Sequence, residues 1–216
     1  LIAIALSGFT ALSYEVLWTR VLSMVFGSSV YALTTMLCAF LAGIALGSLI
    51  YAKITPSTQP SPLEGEEERM REINIFGFLE AGIGISVLIL VPIFGVLPFI
   101  FLKLFKAFCS HYYIFTFSQF LLTFAVMLIP TTLFGATIPL ACKIYAQQFT
   151  VHSPQSKDDL GHRTLDIGQS VGNVYAANTI GAVLGSILTG FLFIQLFGLQ
   201  KTTLYISIIN IFIGLG

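Results

Sequence analysis

Long apolar runs alternate with short polar stretches from one end of the chain to the other. A bilayer core of about 30 Å takes about 20 apolar residues as a helix. The apolar runs are of that order or longer, and they predict helices over about 1–26, 30–52, 75–97, 112–147, 172–197 and 201–216. Gly27, Ser28 and Ser29 mark the first turn. Two longer polar intervals, 53–73 and 148–171, are expected to be loops. The first contains TPSTQPSPLEGEEERMRE, with three prolines and five glutamates, a composition that cannot bury a core. The second holds Lys157, Asp158, Asp159, Arg163 and Asp166. The third apolar stretch, continued to Phe105, and the fourth are both overlong for one straight crossing. Pro92 and Pro98 predict that the third divides into a membrane helix and a short interfacial piece, and Pro130 and Pro139 predict helix breaks flanking TTLFGATI in the fourth.

Composition agrees with this pattern. The chain is 56% hydrophobic and 9% charged, against about 25% charged in an ordinary soluble domain. Lipid is the expected partner for most of its surface. Net charge is zero and no basic run is present, which argues against nucleic acid. Cys38, Cys109 and Cys142 are widely spaced and read as free thiols, and the three histidines form no cluster. There is no Ser-His-Asp set, no phosphate-cradling glycine loop and no metal constellation, so no catalytic residue, metal or cofactor is expected in these residues. The first apolar run lacks a basic leading region and carries Glu15 and Arg20, unlike a cleavable signal peptide. Because the chain starts and stops inside apolar runs, it is expected to be part of a longer membrane protein.

Orientation follows from loop cations. With the N-terminus cytoplasmic, the inner loops hold Lys53, Arg69, Arg71, Lys143, Lys157 and Arg163, and the outer ones Arg20, Lys103, Lys106 and Lys201. That excess predicts a cytoplasmic N-terminus and places both long polar loops in the cytoplasm.

One phrase occurs twice. Residues 43–50 read GIALGSLI and residues 181–188 read GAVLGSIL, each downstream of a Val-Tyr-Ala triplet at 30–32 and 174–176. Recurrence in the second and fifth of six apolar segments predicts a three-plus-three repeat of the transporter type. Helices in lipid associate through close backbone packing, which small residues four apart permit. Ala39, Gly43 and Gly47 have that spacing, as do Ala177, Gly181 and Gly185, with Ala182, Ser186 and Gly190 on an adjacent stripe. These two helices are expected to form the packed centre of the bundle.

Charged and polar groups inside apolar segments are functional candidates. Glu15 and Arg20 lie in YEVLWTR, about 140° apart around a helix. Each either faces the bundle interior or serves structurally, Arg20 by reaching the headgroups and Glu15 through a hydrogen bond. Glu80, in GFLEAGIG, faces either the interior beside Gly77 and Ala81 or a water-reachable rim. Asn178 is expected to make an interhelical hydrogen bond. The stretch from Pro130 to Pro139 either lines a cavity or is a kinked helix bending round its neighbours.

Four phrases carry a family resemblance. SGFTALSYEVLWTRVLSMVFGSSVYAL (7–33), AFLAGIALGS (39–48), PTTLFGATIPL (130–140) and VGNVYAANTIGAVLGSILTGF (171–191) together resemble the membrane domain of the fused major-facilitator-like spermidine synthase family. The resemblance covers most of the helical chain, in order. It implies an all-α integral membrane fold of about six transmembrane helices, a major-facilitator-like half. It also implies a cytoplasmic aminopropyltransferase-like partner domain, which would move an aminopropyl group from decarboxylated S-adenosylmethionine to putrescine in polyamine biosynthesis. That soluble catalytic domain is absent from these residues, so no catalytic residue carries over. The stretch after the second segment, TPSTQPSPLEGEE, stands where the family has a short basic turn. The expected function is therefore a membrane anchor, in a bacterial inner membrane, that serves such an enzyme. The rivals are half of a small-solute transporter, partnered by a second membrane half, and a scaffold bundle without transport.

Overall fold

The structure, a computed structural model, describes residues 1–27, 30–55, 65–108, 111–150 and 160–216. Six α-helices follow in order: α1 (Ile2–Phe26), α2 (Val30–Ile54), α3 (Gly65–Phe108), α4 (Tyr112–Thr150), α5 (Leu160–Leu188) and α6 (Ile194–Leu215). A widened π-helical turn, Thr189–Phe193, joins the last two. Among the described residues there is no strand. Five stretches are long and apolar enough to cross a bilayer, ending with Gly168–Leu215, as in a multi-pass membrane protein. The outward side chains are correspondingly apolar, with Ile2, Phe78, Tyr113 and Phe191 each more than 70% exposed.

The polar intervals are shorter than their composition suggests. Helix α3 begins at Gly65, where a loop to residue 73 was expected. Glu66, Glu67 and Glu68 occupy its first turn, where carboxylates favour the partial positive charge of a helix N-terminus. At the second interval α4 runs on to Thr150 and α5 already begins at Leu160. Residues 56–64 and 151–159 lie outside the described residues, as do Ser28, Ser29 and Cys109.

The prolines do not break their helices. Both α3, through Pro92 and Pro98, and α4, through Pro130 and Pro139, are continuous. A proline at position i leaves the carbonyl of residue i−4 without its helical donor, and in a bilayer another protein group must replace it. For Pro139 the open carbonyl is that of Gly135, and the Ser48 hydroxyl of α2 donates to it at 2.7 Å. Within α4, the Thr131 and Thr137 hydroxyls turn back to donate to Met127 O and Phe134 O. The helix that sequence alone would divide is held intact from a neighbour.

A sharp bend falls at Gly198, whose φ of 75° and ψ of 171° interrupt α6. Only glycine takes that conformation without strain. The Thr202 hydroxyl donates to Gly198 O at 2.7 Å and lies 3.0 Å from Phe193 O, joining carbonyls on either side of the bend.

Contact register sets the helix directions. Ser7 meets Glu80 and Phe26 meets Phe101, so α1 and α3 run parallel. Gly181 and Gly185 face Ala5 and Phe9, which makes α5 parallel to α1. Gly43 faces Thr131 and Ser48 reaches Gly135, so α2 and α4 are parallel to each other. Helix α4 is antiparallel to α3, since Lys143 reaches Glu68 whereas Phe115 packs on Phe101. Helix α6 is antiparallel to α3 as well, with Gly84 on Ser207 and Gly77 on Gly214. The rods therefore alternate in direction, and the chain reverses at Gly198.

The principal pairings are α1 with α5, α2 with α4, and α3 with α4 and α6. This corrects the expectation for the small-residue helices: α2 and α5 do not form a shared centre, and each seats on a different partner. A Cβ on Gly47 would run into Thr132 O, and one on Gly185 into Phe9 O. The centre is aromatic instead. Trp18 stacks on Tyr14 at 5.6 Å between ring centroids and meets Phe40 of α2 edge-on, while Tyr14 also packs against Phe134 of α4.

Candidate intramembrane polar site

Glu80 is the one predicted charged site residue that the fold buries completely. Its neighbours on α3 explain the burial. Gly77 and Ala81 lie against Gly214, and Gly84 lies against Ser207 O, so α6 approaches the α3 backbone closely. The position is interior, which removes the rim alternative. Ser7 of α1 donates to Glu80 Oε1 at 2.5 Å, and Thr10 donates to Ser7 O at 2.9 Å. Glu80 Oε2 is buried with no hydrogen-bond partner.

Helix α6 completes the site. Asn210 is wholly buried, and neither its Oδ1 nor its Nδ2 has a hydrogen-bond partner. A Cβ added to Gly84, one turn from Glu80, would stand 3.3 Å from Asn210 Cβ. Ser207 accepts a hydrogen bond from Tyr14 OH at 3.2 Å and donates to Thr203 O at 2.9 Å. Next to this cluster, between α1 and α5, Thr189 donates to Ser13 Oγ at 2.8 Å, and Ser13 donates to Phe9 O. Buried polar groups without partners are costly in any protein interior, and two of the residues that carry them, Glu80 and Asn210, lie on the α3–α6 seam.

The other predicted site residues are elsewhere. Glu15 is half-buried and Arg20 exposed, and among the described residues neither side chain makes a hydrogen bond or ion pair. Asn178 lies with its backbone and amide oxygens against Gly8, and among the described residues it makes no side-chain hydrogen bond. Gly43, Gly47, Gly181 and Gly185 are packing positions. The Pro130–Pro139 stretch is a helix interface rather than a cavity wall. Thr131 and Thr132 face Gly43 and Gly47, and Gly135 faces Ile44 O. No group of three or more potential metal-ligating side chains occurs among the described residues.

Sequence reasoning missed Ser7, Tyr14, Ser207 and Asn210. A signal was present: Ser7, Thr10 and Tyr14, and Thr203, Ser207 and Asn210, each recur at helical spacing within apolar runs. It also missed an ion-pair cluster at one end of the bundle. Lys143 of α4 binds both Glu68, at 3.1 Å, and the buried Glu72 of α3. That cluster clamps the first turns of α3 to the end of α4, which is why residues 65–73 are helical.

No protein-family model matches the chain, and neither a curated protein nor a solved structure matches it.

Proposed function

We propose that the chain is the membrane domain of a spermidine-synthase-like fused protein, crossing a bacterial inner membrane six times from a cytoplasmic N-terminus. In this reading it anchors and serves a cytoplasmic aminopropyltransferase-like domain that lies outside these residues. The observation that carries the proposal is the common job of the repeated phrase. GIALGSLI seats α2 on α4, and GAVLGSIL seats α5 on α1. Exchanging helices one, two and three for four, five and six turns the α1–α5 pair into α4–α2 and leaves α3–α6 unchanged. That is the relation expected of a three-plus-three repeat. The reversal at Gly198 supports six crossings, because Gly168–Leu215 would extend about 70 Å as one straight helix. The quoted phrases that resemble the family are also the surfaces on which these helices meet.

A second reading, half of a major-facilitator-type solute transporter, is favoured by one feature, the buried polar seam around Glu80. Two experiments test the proposal. Single cysteines in a background free of Cys38, Cys109 and Cys142 should label from the cytoplasm at Thr55 and Gly216, and from outside at Gly27, His111 and Lys201. Opposite sides for Thr55 and Gly216 would refute six crossings. An affinity tag on the full native polypeptide should recover an aminopropyltransferase-like domain in mild detergent; recovery of a second six-helix membrane half without one would favour the transporter reading.

A further inference from the structure

We propose that Glu80, Ser7 and Asn210 form an intramembrane site for one exchangeable monocation, a proton or a sodium-sized alkali ion. The inference goes beyond the anchoring function and stands independently of it. Three observations converge.

The first is charge balance. Glu80 is wholly buried, and an isolated carboxylate in an apolar medium is too costly to persist without a compensating positive charge. Among the described residues no protein cation supplies one. Facing Glu80, α1 contributes Ser7 and Tyr14, and α6 contributes Ser207 and Asn210. The charged residue of α4, Lys143, is taken by Glu68 and Glu72, about 12 Å away along α3 at its nearer carboxylate. Arg20 of α1 and Lys201 of α6 are exposed. Glu15, the remaining acid of α1, stands two turns beyond Ser7 and is half-buried. A single carboxylate calls for a single positive charge.

The second is the set of unused atoms. Glu80 Oε2 and Asn210 Oδ1 are buried without partners. Ser7 Oγ spends its proton on Glu80 Oε1 and keeps lone pairs free. Oxygen donors of this kind suit a proton or a hard cation.

The third is position. Gly77, Gly84 and Gly214 let α3 and α6 approach closely on either side of Glu80, and this brings Asn210 of α6 against α3 one turn from the carboxylate. Glu80 also stands well inside the bundle, beyond the polar Glu72–Lys143 end.

A ligand held only by the folded protein raises stability as its activity rises. Thermal unfolding of the full chain in detergent would be followed across a pH series in choline chloride, and across sodium and potassium chloride at fixed pH. Wild type should gain stability either with falling pH, identifying the proton, or with sodium, identifying the alkali ion. Glu80→Gln should retain helical circular dichroism and lose that dependence. Asn210→Ala should weaken the apparent affinity by about tenfold. A second measurement needs no variant to fold: infrared difference spectra of 13C-glutamate-labelled wild type along the same series should show a change in a carboxyl band. Identical responses in wild type and Glu80→Gln, or an unchanged carboxyl band, would overturn the site. Either failure leaves the cysteine map and the co-purification result untouched, so the two proposals fall separately.

Discussion

Replacing Ser48 with alanine should show that α4 depends on a hydroxyl from another helix. Pro139 has no N–H to give Gly135 O, and Ser48 Oγ, 2.7 Å away, supplies the missing donor. The substitution removes one oxygen and leaves Gly135 O buried in the α2–α4 interface, where Gly135 itself lies against Ile44 O. An unsatisfied buried carbonyl costs about 1–3 kcal/mol, while interhelical hydrogen bonds in membranes average about 0.6 kcal/mol. A loss of about 1–1.5 kcal/mol follows for Ser48→Ala. Pro139→Ala offers the control, because it returns an N–H at position 139 and lets α4 satisfy Gly135 O itself. In that background Ser48→Ala should cost no more than about 0.5 kcal/mol, a coupling of about 1 kcal/mol in a double-mutant cycle. Reversible unfolding in SDS, followed by circular dichroism, measures all four proteins. Equal costs in the two backgrounds would refute the reasoning, since the serine would then act independently of the proline.

Two further outcomes test the packing and the ion cluster. Gly47→Val and Gly185→Val push a side chain into Thr132 O and Phe9 O, backbone atoms that cannot swing aside. Each should cost at least about 2–3 kcal/mol, whereas Gly95→Val, with nothing within 4 Å, should stay within about 1 kcal/mol by the same unfolding assay. Lys143→Met leaves Glu72, at 3% exposure, as an uncompensated buried charge. A cost of about 2 kcal/mol is expected, below that of a fully buried pair because Lys143 is a quarter exposed. Adding Glu72→Gln to Lys143→Met should restore most of that stability, and failure to do so would show that the lysine contributes through packing alone.

The apolar runs were enough to place the ends of the first two helices and the start of the fourth, but not the ends of the third or the start of the fifth. The first two boundaries, the start of the fourth helix and the break near residue 198 can all be read from apolar length and from glycine. These features are local: a chain in lipid must satisfy its own backbone, so a sufficiently long apolar run becomes a helix wherever it packs. The small-residue phrases likewise announced close helix contacts. They did not announce the partners, because a glycine stripe is a smooth surface that fits any other, and the choice between α4 and α5 for Gly43 and Gly47 rests on the whole set of contacts.

Three features were decided only by tertiary structure, for one shared reason. Helix α4 continues through Pro139 because Ser48 of α2 is there to replace a donor. Residues 65–73 are helical where their composition reads as loop, and Lys143 of α4 holds two of their carboxylates. Glu80 is interior and bonded by Ser7, and Tyr14, Ser207 and Asn210 lie along the same seam, because α3 and α6 meet at glycines. In each case the state of a polar group depends on a partner far away in the chain, as with Ser7 and Glu80, 73 residues apart, and Ser48 and Gly135, 87 apart. Hydrophobic length is a property of a segment and can be read there; the satisfaction of a buried polar atom is a property of a pair, and only the folded bundle brings the pair together.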